Sequence, residues 1–117
     1  MKRDLNDRTM SFALRIAQMV RAMPRGIVED VTAKQVVRCA TSIGANYCEA
    51  CHARSERDFA AKLKICEGEA VETLFWLRFI VKDGMMPEQR MQDILRESEE
   101  LVAIFTAATK KAYANIK

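Results

Sequence analysis

The stretch FAAKLKICEGEAVETLFWLRFIV, residues 59–81, repeats apolar residues at steps of three and four: Phe59, Leu63, Cys66, Ala70, Leu74, Leu77 and Val81. That spacing places them on one face of an α-helix, the stripe that a helical bundle buries. Ser55 followed by Asp58 offers a cap at its start, and Gly84 fits the position just past its end. Val71, Phe75, Trp76, Phe79 and Ile80 add apolar groups on the other sides of its C-terminal half. One bundle core cannot bury them all, so a second apolar face is expected to meet another subunit or a partner, with Phe75, Trp76 and Phe79 as the interface residues.

Three more stripes flank this helix. Leu5, Thr9, Phe12, Ile16, Met19 and Met23 predict helix 1 over 4–23. Thr32 with Gln35 three residues later spells a capping box, and Val36, Ala40, Ile43, Tyr47 and Ala50 follow it, predicting helix 2 over 32–53. Pro87 suits the first turn of helix 4, whose inward face is Met91, Ile94, Leu101, Phe105, Ala108 and Ala112. Pro24-Arg25-Gly26, Ala53-Arg54-Ser55 and Gly84-Met85-Met86-Pro87 separate the segments. Short connections predict an all-α, antiparallel up-down-up-down four-helix bundle, one domain over residues 1–117.

Composition agrees. At 117 residues, 50% hydrophobic and 30% charged, the chain has room for one core, and four Gly with two Pro supply too few turns for a many-stranded β fold. No apolar run approaches the ~20 residues of a membrane span. The charged N-terminal segment reads as an amphipathic helix rather than an export signal, so a cytoplasmic location and free cysteines are expected.

Little in the sequence suggests catalysis. Cys48-Glu49-Ala50-Cys51-His52 spells C-x-x-C-H, the pattern of covalent haem attachment, yet it falls inside an amphipathic helix of a chain without an export signal. Cys48, Cys51 and His52 supply at most three zinc ligands, and no second C-x-x-C follows. His52 is the sole histidine, no Gly-rich phosphate loop occurs, and one Glu-x-x-His is half of what a di-iron bundle needs. The expectation is a non-enzymatic protein with no cofactor and no metal, its cysteines packing residues.

A polar stripe of Gln35, Arg38, Ser42, Asn46 and Glu49 runs beside the apolar face of helix 2, answered on helix 3 by Glu69 and Glu72. In an antiparallel hairpin turning near Arg54, residues whose numbers sum to about 110 lie level. Arg38 then faces Glu72, and Ser42 faces Glu69, a structural network of hydrogen bonds. By the same arithmetic Gly44 lies near Gly68, which would let helices 2 and 3 approach closely.

These residues also carry a resemblance. QVVRCATSIGANY (35–47), Glu49-Ala50, Ala53-Arg54-Ser55, Phe59 and EAVETLFWL (69–77) closely resemble the bacterial four-helix bundle family of proteins encoded in intervening sequences of 23S ribosomal RNA genes. The accessory variability determinant of diversity-generating retroelements looks like a relative. The resemblance covers about residues 5–116 and implies a cytosolic bundle assembled as a homopentamer, with no established enzymatic activity and an association with nucleic acid. Cys48 and Cys51 depart from the family pattern, which weakens a metal or haem reading further.

Charge then suggests where nucleic acid would bind. No carboxylate lies between Arg8 and Val28, where Arg8, Arg15, Arg21 and Arg25 point away from the apolar stripe. In the predicted topology both termini and the helix 2–helix 3 turn share one end. That end gathers ten basic residues, including Arg3, Arg8, Arg54, Arg57, Lys62, Lys64, Lys110 and Lys111, against five acidic ones, a formal +5 within a chain total of +3. An oligomer multiplies this charge, enough to attract a phosphate backbone of RNA or DNA without reading bases. The competing function is a protein-interaction scaffold, for example an accessory subunit of a nucleic-acid enzyme.

Overall fold

Each helix begins or ends where proline, glycine or serine makes continuation costly. In the computed structural model, which describes residues 2–117 with side chains from Leu5 onward, the helices are α1 (Lys2–Ala22), α2 (Ile27–Ala50), α3 (Glu56–Asp83) and α4 (Glu88–Ala114). No strand occurs among the described residues. Ser55 Oγ accepts the Asp58 N–H at 3.0 Å and caps α3. Gly84 ends it at φ +83°, in the left-handed region that glycine enters without a Cβ penalty. Its N–H donates to the Val81 carbonyl and that of Met85 to the Ile80 carbonyl, the paired bonds of a Schellman motif. Met85 and Met86, both buried, then plug that end of the bundle.

Helix α2 departs from expectation at both ends. It starts directly after Gly26, and Thr32, expected as its cap, lies inside it and is buried. A capping box is a spelling that an interior threonine shares; here the break at Pro24 and Gly26 starts the helix, and Glu29 and Asp30 complement the dipole of its first turn. At the other end His52 and Ala53 donate to carbonyls three residues back, so the chain tightens after Ala50.

The four stripes face one another. Phe12, Ile16, Val36, Ile43, Leu63, Cys66, Leu77, Met91, Leu101 and Phe105 are all buried in one cluster. Small polar residues fill it between the large ones: Thr9, Thr32, Thr73, Ser98 and Thr109 are buried too. Packing is most extensive between α2 and α3 and between α3 and α4, less so between α1 and α2, and slight between α1 and α4. The result is a rod of 49 × 21 × 20 Å. No helix among the described residues is long and apolar enough to cross a membrane.

The interior glycines do not face each other as expected. A Cβ on Gly44 would lie 3.1 Å from Thr9 Oγ1, so Gly44 marks the close approach of α2 to α1. Gly68 has open space around it and is exposed. Level positions on two helices fix height, not rotation about the axis. Gly68→Ala is therefore expected to stabilise the protein by about 1 kcal/mol, the ordinary helix-propensity gain. Gly44→Ala should gain less or lose, because Thr9 must move; urea denaturation of the two variants compares them directly.

Candidate nucleic-acid interface

Paired residues along the helices locate the expected basic end. Asn6 meets Cys51, Lys62 meets Glu49, and Thr106 meets Glu67. The start of α1, the α2–α3 turn and the stretch of α4 beyond Thr106 therefore gather together. Arg54 and Arg57 stand exposed on the turn and at the start of α3, and Lys110 and Lys111 stand exposed near the end of α4. None of these four forms an ion pair among the described residues.

The other residues expected there are placed differently. Arg8 does not face solvent freely: its Nε and Nη2 donate to Glu97 at 2.7 and 2.9 Å, and Glu100 accepts from it as well. Hydrogen bonding to Glu97, ahead of the opposing effect of burial, holds the guanidinium charged well above its ordinary range. Lys62 donates to Glu49 at 2.6 Å, and its ammonium is held charged mainly by that bond. Lys64 lies 3.5 Å from Glu67. Arg3 lies outside the residues whose side chains are described. The formal surplus is thus carried by Arg54, Arg57, Lys110 and Lys111, with carboxylates of α2, α3 and α4 neutralising part of the rest. Of the other α1-side arginines, Arg25 is tied to Asp30 at 2.9 Å.

The polar stripe of α2 does meet α3. Arg38 Nη2 donates to Glu72 Oε2 at 2.6 Å and Nη1 to Glu69 Oε1 at 3.4 Å, while Trp76 Nε1 donates to Glu72 at 3.2 Å. The pair is not buried, since the side chains are 47% and 40% exposed. Ser42 makes no bond to Glu69; its carbonyl instead accepts the Asn46 amide at 2.9 Å. Of the three expected interface aromatics, Phe75 is exposed, whereas Trp76 and Phe79 are half-buried against the core. Trp76 packs edge-on against both neighbours at 5.1 and 5.9 Å.

The C-x-x-C-H residues sit at the end of α2. His52 donates Nδ1–H to the Cys48 carbonyl at 3.0 Å, and the Asn6 amide donates to Cys51 Sγ at 3.7 Å. Among the described residues no group of three or more His, Cys, Asp and Glu is arranged to hold a metal ion. Cys39 and Cys66 are buried; burial raises the first and pushes the second up to about 12, so both thiols stay protonated.

Comparison with known proteins agrees with the fold. The 23S rRNA-intervening sequence protein family matches residues 2–107. The crystal structure of a protein of unknown function from the S23 ribosomal protein family of Bacteroides thetaiotaomicron superposes with a TM-score of 0.84. Its sequence is 33% identical, over 94% of this chain and 99% of that one. Among curated proteins there is no match.

Two outcomes follow from this chemistry. The Arg38 hydrogen bond, outweighing desolvation, lowers the Glu72 carboxyl below its ordinary 4.5. Its stabilisation is then fully present above that value and lost as pH falls through the lowered one, so Glu72→Gln should remove this part of the acid sensitivity seen by circular dichroism. Alkylation followed by mass spectrometry should modify exposed Cys48 first, half-buried Cys51 more slowly, and Cys39 and Cys66 only on unfolding.

Proposed function

The chain belongs to the 23S rRNA-intervening sequence protein family, and we propose that it acts as a non-enzymatic nucleic-acid-binding bundle, gripping phosphates with its basic end. In this reading the helices run up-down-up-down and five copies assemble in the cytoplasm, so that one rim carries the basic ends of all copies. The observation that carries the proposal is the group Arg54, Arg57, Lys110 and Lys111. All four are exposed and free of ion pairs among the described residues, whereas Arg8, Lys62 and Lys64 are engaged by carboxylates.

Such a surface contacts phosphate oxygens, and exposed Tyr113 beside Lys110 and Lys111 is a single ring rather than a series of stacking platforms, so affinity should depend strongly on salt and weakly on sequence. Replacing Arg54, Arg57, Lys110 and Lys111 together with alanine should weaken binding to structured RNA or duplex DNA. It should also flatten the slope of log affinity against log salt, by about 0.9 for each phosphate of duplex DNA that the variant no longer neutralises. Fluorescence anisotropy across a salt series measures both. A wild-type oligomer that binds no RNA, duplex or single strand at ~50 mM salt, where such contacts are strongest, overturns the proposal in favour of a protein scaffold. Light scattering should give five chain masses, and a monomer mass would reject the assembly.

A further inference from the structure

Two charged stripes face each other across the α1–α4 side. Arg8 and Arg15 are seven positions apart on α1, as are Arg90 and Glu97 on α4. Seven positions make close to two helical turns, so the members of each pair share a face. Arg8 meets Glu97 at 2.7 Å. Seven residues on along α1 and seven back along α4, Arg15 and Arg90 line one recess of about 220 Å³. Gln18 lines it too, and Met19, Met91 and Ile94, all buried, form its floor.

The two positions are answered differently. Arg8 has two carboxylates, Glu97 and Glu100, whereas Arg15 and Arg90 form no ion pair among the described residues. The acids on this stretch of α4 are turned elsewhere. Asp93 is 81% exposed and lies 3.4 Å from Arg96, Glu97 is engaged by Arg8, and Glu88, two positions from Arg90, falls on a different face of the helix. Two like charges thus stand level in a gap where α1 and α4 pack only slightly.

We propose that this recess binds a phosphate dianion, held between the Arg15 and Arg90 guanidiniums with the Gln18 amide as a further donor. Two cations match its charge. A carboxylate spends both oxygens on one guanidinium fork, whereas a tetrahedral phosphate offers oxygens to two forks at once. An internal phosphodiester of a nucleic acid carries one charge and leaves one guanidinium unmatched, so the ligand is free phosphate or a small phosphomonoester. The apolar floor keeps water from one side and reduces the screening of the attraction. Bound there, the anion ties α1 to α4 as Glu97 does through Arg8. The site lies about 10 Å along α1 from Arg8, away from the basic end, and stands whether or not that end binds nucleic acid.

Thermal unfolding followed by circular dichroism tests this, with inorganic phosphate compared against sodium chloride at matched ionic strength and about pH 8, where phosphate is a dianion. The wild-type midpoint should rise by about 5 °C once phosphate exceeds its Kd tenfold. Phosphate also stabilises proteins through exclusion from their surface, a gain that Arg15→Gln and Arg90→Gln share, so the excess of wild type over both variants reads the site. Arg15→Glu supplies a carboxylate opposite Arg90. It should melt above wild type in chloride and gain no more from phosphate than the glutamine variants do. An excess with glycerol 3-phosphate larger than with inorganic phosphate assigns the ester, and an equal one assigns the phosphate group alone. Equal phosphate gains in wild type and both glutamine variants overturn the site. An excess produced by duplex DNA but not by either small phosphate also overturns it, and makes the recess part of a nucleic-acid surface.

Discussion

Helix α3 has neighbours on two sides and water on a third, and one run of sequence has to satisfy all three. Leu63, Cys66, Ala70 and Leu77 fill the core; Glu69 and Glu72 reach Arg38 on α2; Glu67 reaches Thr106 and Arg78 reaches Glu99 on α4. Because both hairpins are registered on this one helix, α1 is positioned only at second hand. It lies against α2 where Gly44 admits Thr9, and it touches α4 through the Arg8 bonds to Glu97 and Glu100. Val71 and Phe75 are what remains of α3 once its two neighbours are served.

The ion pairs add little stability singly, since exposed pairs contribute about 0–1 kcal/mol each. Their larger effect is on where charge is left unbalanced. Glu97, Glu99 and Glu100 along α4 engage Arg8 and Arg78, and Glu49 engages Lys62. A charge held by a partner at hydrogen-bond distance attracts a distant phosphate only weakly, because the pair acts as a dipole. The net charge of +3 therefore understates how uneven the surface is.

Periodicity makes the fold legible: the stripes of all four helices consist of residues that are buried or half-buried. Ser55 and Gly84 are readable because cap chemistry and helix end coincide there. Thr32 misleads because its spelling says nothing about burial, and a threonine between Val28 and Val36 also fits a helix interior. The candidate interface is less legible. Arg8 finds Glu97 across 89 positions of sequence, a pairing that no helical wheel of α1 contains. Counting charges by topology locates the basic end but does not tell Arg54 and Arg57, which form no ion pair among the described residues, from Lys62 and Lys64, which do. A groove between α1 and α2 leaves no mark in the hydrophobic pattern, because it is made by what Gly44, Ala45 and Ala13 lack.

In the oligomer proposed above, assembly and binding would use different parts of the rod. Contacts along the long sides would leave the ends, some 49 Å apart, open to solvent. Copies related by rotation about one axis would point the same end the same way, so that Arg54, Arg57, Lys110 and Lys111 would recur around one rim. For a flexible or extended polyanion, the first contact on such a rim makes the next one intramolecular, and avidity rises without any new contact type. A monomer with these four cations would hold a phosphate backbone weakly; the same four repeated around a ring would hold it through geometry. In this scheme the apolar surplus of α3 would be the reason that a modestly charged chain could act as a polycation.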